Sequence, residues 1–178
     1  VKLLLAAPGI KVNNILLNTA IEKGNIEIVK SLLAYPGINV NVKASDGKFP
    51  LYYAALKSNA DIVKLLLEKP EINVNLSCLG EYGTALLRAI RSSGNKSSLE
   101  VIQLLLSHPG IDVNQSTASH YNAPLALAAD QGDIEIVKLL LAAPGIDVNK
   151  NAPIMKAASR NHKEIAELLL DNPNTYLD

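Results

Sequence analysis

The stretch VKLLLAAPGI at Val1–Ile10 decides the fold, because the same ten residues return letter for letter at Val137–Ile146. Identical stretches of this length indicate that the chain contains copies of one unit. The proline marks the period, since it recurs in a similar leucine-rich setting at Pro8, Pro36, Pro70, Pro109, Pro144 and, more loosely, Pro173. From Pro8 to Pro144 the four intervals span 136 residues, which is four times 34. A period of about 20–50 residues predicts a solenoid of stacked units rather than a globular domain with one duplicated helix.

The composition narrows the class of protein. The 178 residues include 17 basic and 17 acidic side chains. This balance argues against a dedicated nucleic-acid surface or a polybasic membrane patch. No apolar stretch approaches the roughly 18 residues of a membrane span. The single cysteine, Cys78, excludes an intramolecular disulfide, and we expect a reducing, cytoplasmic setting. Because Val1 lies inside a helical phrase, we also expect the chain to be cut from a longer protein.

Residues 37–70 illustrate one unit. Pro50 can open a short helix at its first turn, where a missing N–H costs nothing. The stretch DIVKLLLEK at Asp61–Lys69 predicts a second helix that is apolar over most of its girth. Pro70 ends that helix, INVN predicts an extended connector, and ASDG predicts a turn. Neither helix can hide its apolar face alone, so consecutive units must stack.

These residues resemble the ankyrin repeat family, whose unit has a T-P-L-H-x-A-A core. The similar stretches are Phe49–Asn59, Thr84–Ile90, Ala123–Asp133 and Ala152–His162, with Ile15–Asn25 the most divergent. The connector GIDVN looks like the family's G-A-D-V-N, lengthened by a turn that contains proline. The resemblance implies an all-α solenoid of helix-turn-helix repeats with β-turn fingers. It implies one domain over 1–178, with a partial repeat at 1–8, repeats at about 9–36, 37–70, 71–109, 110–144 and 145–173, and a tail at 174–178.

The sequence departs from the family pattern in three ways. The consensus histidine, which ties adjacent turns together in the family, is replaced by Asn18, Tyr52, Leu87, Ala126 and Met155. The fingers between Pro8 and Ile15 and between Pro144 and Ala152 are about half a dozen residues short, so we expect both to be clipped. The stretch Arg91–Glu100 adds about four residues between two helices, and we expect a loop that protrudes away from the fingers.

The resemblance implies a binding site for another protein on the concave surface of fingers and first helices. The corresponding residues are Ser45, Asp46, Lys48, Leu56, Lys57, Glu81, Tyr82, Arg91, Ser92, Ser119, His120, Tyr121, Asn122, Asp130 and Gln131, with Glu22, Lys23, Ser159 and Arg160 extending the surface. Tyrosine is frequent at binding hot spots, so Tyr82 and Tyr121 are the strongest aromatic candidates. Phe49 and Tyr52 fit better as core residues. The candidates mix both signs of charge, and no single partner charge follows.

Catalysis has little support in the sequence. His108, His120 and His162 have no metal or triad spacing, Cys78 has no C-x-x-C partner, and no phosphate-binding loop appears. We therefore expect no enzyme activity, metal or cofactor. One alternative function is a targeting module of a larger enzyme or effector protein. Another, from the resemblance, is a substrate of asparaginyl hydroxylation at Asn41, Asn75, Asn114 and Asn149. The simpler interpretation is that these side chains brace their own turns by local hydrogen bonds.

Overall fold

A computed structural model describes residues 14–78, 83–94, 96–116 and 123–176. Within these ranges ten helices form five consecutive pairs. The helices are α1 (Asn14–Glu22), α2 (Ile26–Leu33), α3 (Pro50–Leu56), α4 (Ala60–Leu67), α5 (Ala85–Arg91), α6 (Lys96–Leu106), α7 (Pro124–Gln131), α8 (Ile134–Leu141), α9 (Pro153–Ser159) and α10 (Lys163–Leu170). Two short strands, β1 (Ser77–Cys78) and β2 (Gly83–Thr84), pair antiparallel with Ser77 opposite Thr84.

The pairs stack in one regular order. The first helices of the pairs pack in the series α1, α3, α5, α7, α9, and the second helices pack in the series α2, α4, α6, α8, α10. Each first helix also packs against the second helix of its own pair. Each repeat therefore contacts the repeats before and after it, which is the arrangement of a solenoid. The predicted all-helical solenoid is confirmed.

The core between the layers is aliphatic, as the composition predicts. In α4, Ile62, Val63 and Leu66 are fully buried, while Leu65 and Leu67 are partly buried against the same cluster. Phe49 and Tyr52 are core residues, each 1% exposed, and their rings meet edge to face with centroids 5.8 Å apart. The interpretation of these two aromatic residues as core is therefore confirmed.

Most second helices begin at a side-chain cap. The Oδ1 atoms of Asn25, Asn59 and Asp133 accept hydrogen bonds from backbone N–H groups of the first turn, at 3.1, 3.1 and 3.2 Å. Such caps satisfy N–H groups that have no partner inside the helix. A shared cap position explains why these helices start at the same point of each repeat.

The third repeat departs from this rule, and the expected protruding loop is wrong. Ser98 lies where the other repeats have their cap, but its hydroxyl donates to the carbonyl of Ser92 at 2.8 Å and meets the hydroxyl of Ser58 at 3.1 Å. Because Ser98 does not cap there, α6 continues backwards to Lys96. It has 11 residues, against 8 in α4. The inserted residues therefore mainly lengthen a helix.

The connectors are also tighter than the extended segments that we expected. In each one an asparagine or aspartate side chain accepts a hydrogen bond from the backbone N–H two residues later. The bonds run from Asn41 to Asn39 at 2.9 Å, from Asn75 to Asn73 at 3.1 Å, from Asn114 to Asp112 at 2.9 Å and from Asn149 to Asp147 at 3.0 Å. This local bond folds the backbone into an Asx turn. The chain therefore reverses inside the connector.

The fingers differ in length between repeats. In the second repeat the finger closes through Gly47, which has a φ of +76° and donates to the carbonyl of Ala44 at 2.9 Å. The fifth repeat has only a compact reversal through Asn151 and Ala152, with φ values of +62° and +51°. The Asn151 side chain accepts from the Ala123 N–H at 2.8 Å, so this clipped finger still contacts the repeat before it. The first clipped finger lies largely outside the described residues.

One glycine is required by the stacking itself. Gly132 ends α7 in the left-handed conformation, with a φ of +79°. A Cβ atom at this position would collide with the ring of His162, which is 30 residues further along the chain. A side chain here would therefore disturb both the backbone and the contact with the fifth repeat.

Candidate partner-binding surface

The finger of the second repeat is held by one carboxylate. The Tyr53 hydroxyl donates to Asp46 Oδ2 at 2.7 Å, and Lys48 Nζ donates to the same oxygen at 2.9 Å. The Lys48 backbone N–H donates to Asp46 Oδ1 at 3.1 Å. Tyr53 is 8% exposed and stands on α3, so these bonds fasten the finger to the first helix. We had placed Tyr53 among the aromatic side chains of the binding surface, but it is a buried brace.

The brace shifts two pKa values in opposite directions. Partial burial raises the pKa of Asp46, but the hydrogen bonds from Lys48 and Tyr53 outweigh this effect and bring the pKa to about 2. Burial, followed by donation to the Asp46 carboxylate, raises the pKa of Tyr53 well above its usual value. At neutral pH the carboxylate is ionised and the hydroxyl keeps its proton. The finger is therefore preorganised, with Ser45 exposed at its tip.

Cys78 lies beside this finger and is 5% exposed. Burial raises the pKa of its thiol to about 11, and the nearby Lys43 only partly opposes the increase. A thiolate is the nucleophilic form of cysteine, and very little of it exists here near neutral pH. This environment is that of a core residue.

The ends of the first helices carry the other candidate residues. Leu56, Arg91 and Asp130 are half-buried, whereas Lys57 and Gln131 are exposed. Arg160 Nε lies 3.2 Å from Asp130 Oδ1, which links the fourth repeat to the fifth. This contact shows that ends of neighbouring first helices face the same side of the solenoid.

Sequence reasoning missed Arg88. It is the fourth residue of α5, where α3 has Tyr53 and α7 has Leu127, both buried. The Nε atoms of Arg88 and Arg91, Arg91 Nη2 and the Ser92 hydroxyl are all buried without a hydrogen-bond partner among the described residues. Aligning the first helices would have shown an arginine in an otherwise apolar column.

Six of the expected site residues lie outside the described ranges. They are Glu81 and Tyr82 in the third finger, and Ser119, His120, Tyr121 and Asn122 in the fourth. Their membership of the surface stays a prediction from sequence.

The four connector asparagines do more than brace their own turns. Asn41 Nδ2 donates to the Glu71 carbonyl at 2.7 Å, and its Oδ1 accepts from the Asn73 N–H at 2.8 Å. The same pair of bonds recurs from Asn75 to Gly110 and Asp112, from Asn114 to Gly145 and Asp147, and from Asn149 to Asn174 and Tyr176. Each asparagine therefore joins its own connector to the following one. The expectation of local bonds is wrong for these side chains, because they reach across to the next repeat. We call this series the asparagine ladder.

The histidines within the described residues contact backbone. His108 Nδ1 accepts from the Gly110 N–H at 3.1 Å, and His162 Nε2 lies 3.3 Å from the Asp130 carbonyl oxygen. In the described part of the chain, no three or more His, Cys, Asp or Glu side chains are grouped so that they could hold a metal ion. The described helices include none with the length and hydropathy needed to cross a membrane.

A family model for ankyrin repeats matches the chain in three copies, at residues 1–78, 17–117 and 86–177. These matches overlap and together cover nearly the whole sequence. No curated protein matches the chain. Repeats of this kind generally bind other proteins and are typically not enzymes. From the family match and the stacked helix pairs, we conclude that the chain belongs to the ankyrin repeat family.

Proposed function

We propose that this chain is an interaction scaffold that binds a partner protein through its fingers and the ends of its first helices. The observation that supports this proposal is the alignment of those helix ends, which the contact between Asp130 and Arg160 demonstrates. Aligned, rigidly held side chains cost little conformational entropy when they bind a partner. The braced finger that presents Ser45 adds a second preorganised element.

The opposite side of the solenoid is a weaker candidate. There, lysines and acids of the second helices pair with one another, as in Lys30 with Glu27 at 3.2 Å and Lys64 with Glu100 at 2.9 Å. Such exposed pairs belong to an ordinary solvated surface. The first-helix side has fewer internal partners for its charges, and this favours it as the binding side.

The proposal includes Tyr82 and Tyr121 together with their finger neighbours Glu81, Ser119, His120 and Asn122. Both tyrosines occupy turn positions where the family has glycine. A turn tip needs no aromatic side chain for packing, whereas a binding surface uses tyrosine often. We therefore assign both side chains to partner contact.

Affinity capture followed by mass spectrometry tests this function. We expect the wild-type chain to retain a partner that Tyr82→Ala and Tyr121→Ala release, with helicity and melting unchanged. Lys138→Ala changes an exposed side chain on a second helix and serves as the matched control. Equal retention of the partner by all four proteins would refute the assignment of the surface. A targeting module of a larger enzyme or effector would use the same surface and would differ in the identity of the captured partner.

Asparaginyl hydroxylation remains the alternative proposal for the ladder residues. In the folded array each ladder amide both donates and accepts, as Asn75 does at 2.7 and 2.8 Å. A modifying enzyme would therefore have to open the connector before it could reach the side chain. The intact mass of the folded chain and of a destabilised Leu140→Ala variant, measured after treatment with an asparaginyl hydroxylase, tests this proposal. Modification confined to the variant is the expected result.

A further inference from the structure

The two helix layers carry opposite charge, although the whole chain is neutral. We count each described helix together with the residue that follows it. The first helices then carry six basic and two acidic side chains: Lys23, Lys57, Arg88, Arg91, Lys156 and Arg160 against Glu22 and Asp130. The second helices carry five basic and eight acidic side chains: Lys30, Lys64, Lys96, Lys138 and Lys163 against Glu27, Asp61, Glu68, Glu100, Glu135, Glu164, Glu167 and Asp171. The proposed binding side is therefore the basic one.

The basic surplus is greatest in the middle of the array. Asp130 is paired with Arg160, and Glu22 belongs to the first repeat. Between these acids, the described first-helix residues contribute Lys57, Arg88 and Arg91 and no carboxylate. The centre of the surface therefore has positive charge that no acid of its own layer neutralises.

Arg88 and Arg91 lie one helical turn apart on α5. Like charges at this spacing repel each other, because their side chains are neighbours on the helix surface. Both residues are half-buried, and within the described ranges neither guanidinium has a hydrogen bond or an ion pair. The Ser92 hydroxyl beside them is also buried without a partner there. Three neighbouring polar groups are thus left with donor capacity at one place on the proposed surface.

The geometry points to a partner that carries carboxylates. We propose that the central first-helix surface binds an acidic segment of the partner protein, with Arg88 and Arg91 as its anchors. This inference rests on the proposed scaffold function and specifies its partner class. A guanidinium presents a planar set of donors that matches a carboxylate in two parallel hydrogen bonds. Nucleic acid fits less well, since it binds through many phosphate contacts and the basic area here is small.

Fluorescence anisotropy with defined probes tests the inference. The probe is a labelled 12-residue peptide of alternating Glu and Gly. A peptide with Gln in place of Glu and a 12-nucleotide single strand serve as comparisons. We expect the Glu peptide to bind most tightly and its affinity to fall as salt is raised. Tighter binding of the oligonucleotide, or equal binding of the Gln peptide, would overturn the inference.

Matched variants separate a specific site from general charge. Arg88→Gln and Arg91→Gln should each weaken binding of the Glu peptide about fivefold, whereas Lys138→Gln removes the same charge from a second helix and should change it less than about twofold. Arg91→Lys keeps the charge but loses the planar donor set, and we expect an intermediate loss. This variant also preserves the test if a glutamine variant fails to fold. Equal losses for Lys138→Gln and the arginine variants would overturn the inference.

The two proposals fail separately. If a captured partner is released by Tyr82→Ala and Tyr121→Ala but retained by Arg88→Gln and Arg91→Gln, the scaffold function stands and the acidic partner is refuted. If none of these variants releases the partner, both proposals are refuted.

Discussion

The asparagine ladder makes a quantitative prediction at Asn75. Its side chain donates to the Gly110 carbonyl at 2.7 Å and accepts from the Asp112 N–H at 2.8 Å. Asn75→Ala removes both bonds, while Asn75→Asp removes the donor and keeps an acceptor for Asp112. The pair of variants therefore divides the contribution of the ladder into two parts.

The magnitude follows from the number and exposure of the bonds. A net hydrogen bond contributes about 0.5–1.5 kcal/mol to stability, so two bonds could supply about 1–3 kcal/mol. The bonds lie near the surface, where water can replace part of them, so we expect a loss of about 1–2 kcal/mol for Asn75→Ala. For a domain of this size, that loss lowers Tm by about 2–8 °C. Asn75→Asp should cost about half as much.

Thermal and urea unfolding monitored by circular dichroism measure both values. Asn149→Ala is the matched control for position, because its bonds reach only the last described residues, Asn174 and Tyr176. Since each repeat contacts only its neighbours, that variant should release the end of the array and leave the centre intact, as hydrogen exchange would show. A wild-type melting curve for Asn75→Ala, or equal losses for the Ala and Asp variants, would refute the ladder as a source of stability.

Three further predictions concern the core, the finger and the stacking. Leu66→Ala should cost about 2–5 kcal/mol in urea unfolding because the side chain is fully buried, and an unchanged midpoint would contradict this. The Asp46 carboxyl should titrate near pH 2 by NMR and at higher pH in Tyr53→Phe. Because this pKa lies below the ordinary value of 3.8, its contribution to stability is complete above about pH 4 and is lost as the pH falls towards 2, and titration of the wild type near 3.8 would be the contrary result. Gly132→Ala should destabilise more than Gly24→Ala, since both positions have positive φ but only the former meets a histidine ring, and equal shifts in Tm would exclude that contact.

Much of the fold could be predicted from sequence because the repeat is written into the chain many times. Pro50 begins a helix because its missing N–H costs nothing there, and that local rule needs no tertiary information. The same holds for the buried face of α4, whose apolar spacing is visible in the residues. The lengthening of α6 could not be read this way, because Ser98 chooses between capping its helix and bonding to Ser92 only once the repeats are packed.

The candidate site was predictable by position and not by pairing. The resemblance placed Asp46 and Asp130 on the proposed surface, but their partners Tyr53 and Arg160 depend on how a finger meets a helix and how two repeats meet. Arg88 was overlooked because a single repeat gives no warning that an arginine stands in a buried column. The comparison of neighbouring repeats in three dimensions made it visible.

The sequence alone determined that this protein is a stack of near-identical helical units, because a period and an apolar pattern are properties of the chain. The tertiary structure decided which side chains bond from one unit to the next, such as Asn41 to Glu71 and Lys64 to Glu100. Those partners are separated by 30 and 36 residues, and their meeting depends on the offset between adjacent repeats. That offset is set by the packing of whole helix faces, which no local stretch of sequence specifies.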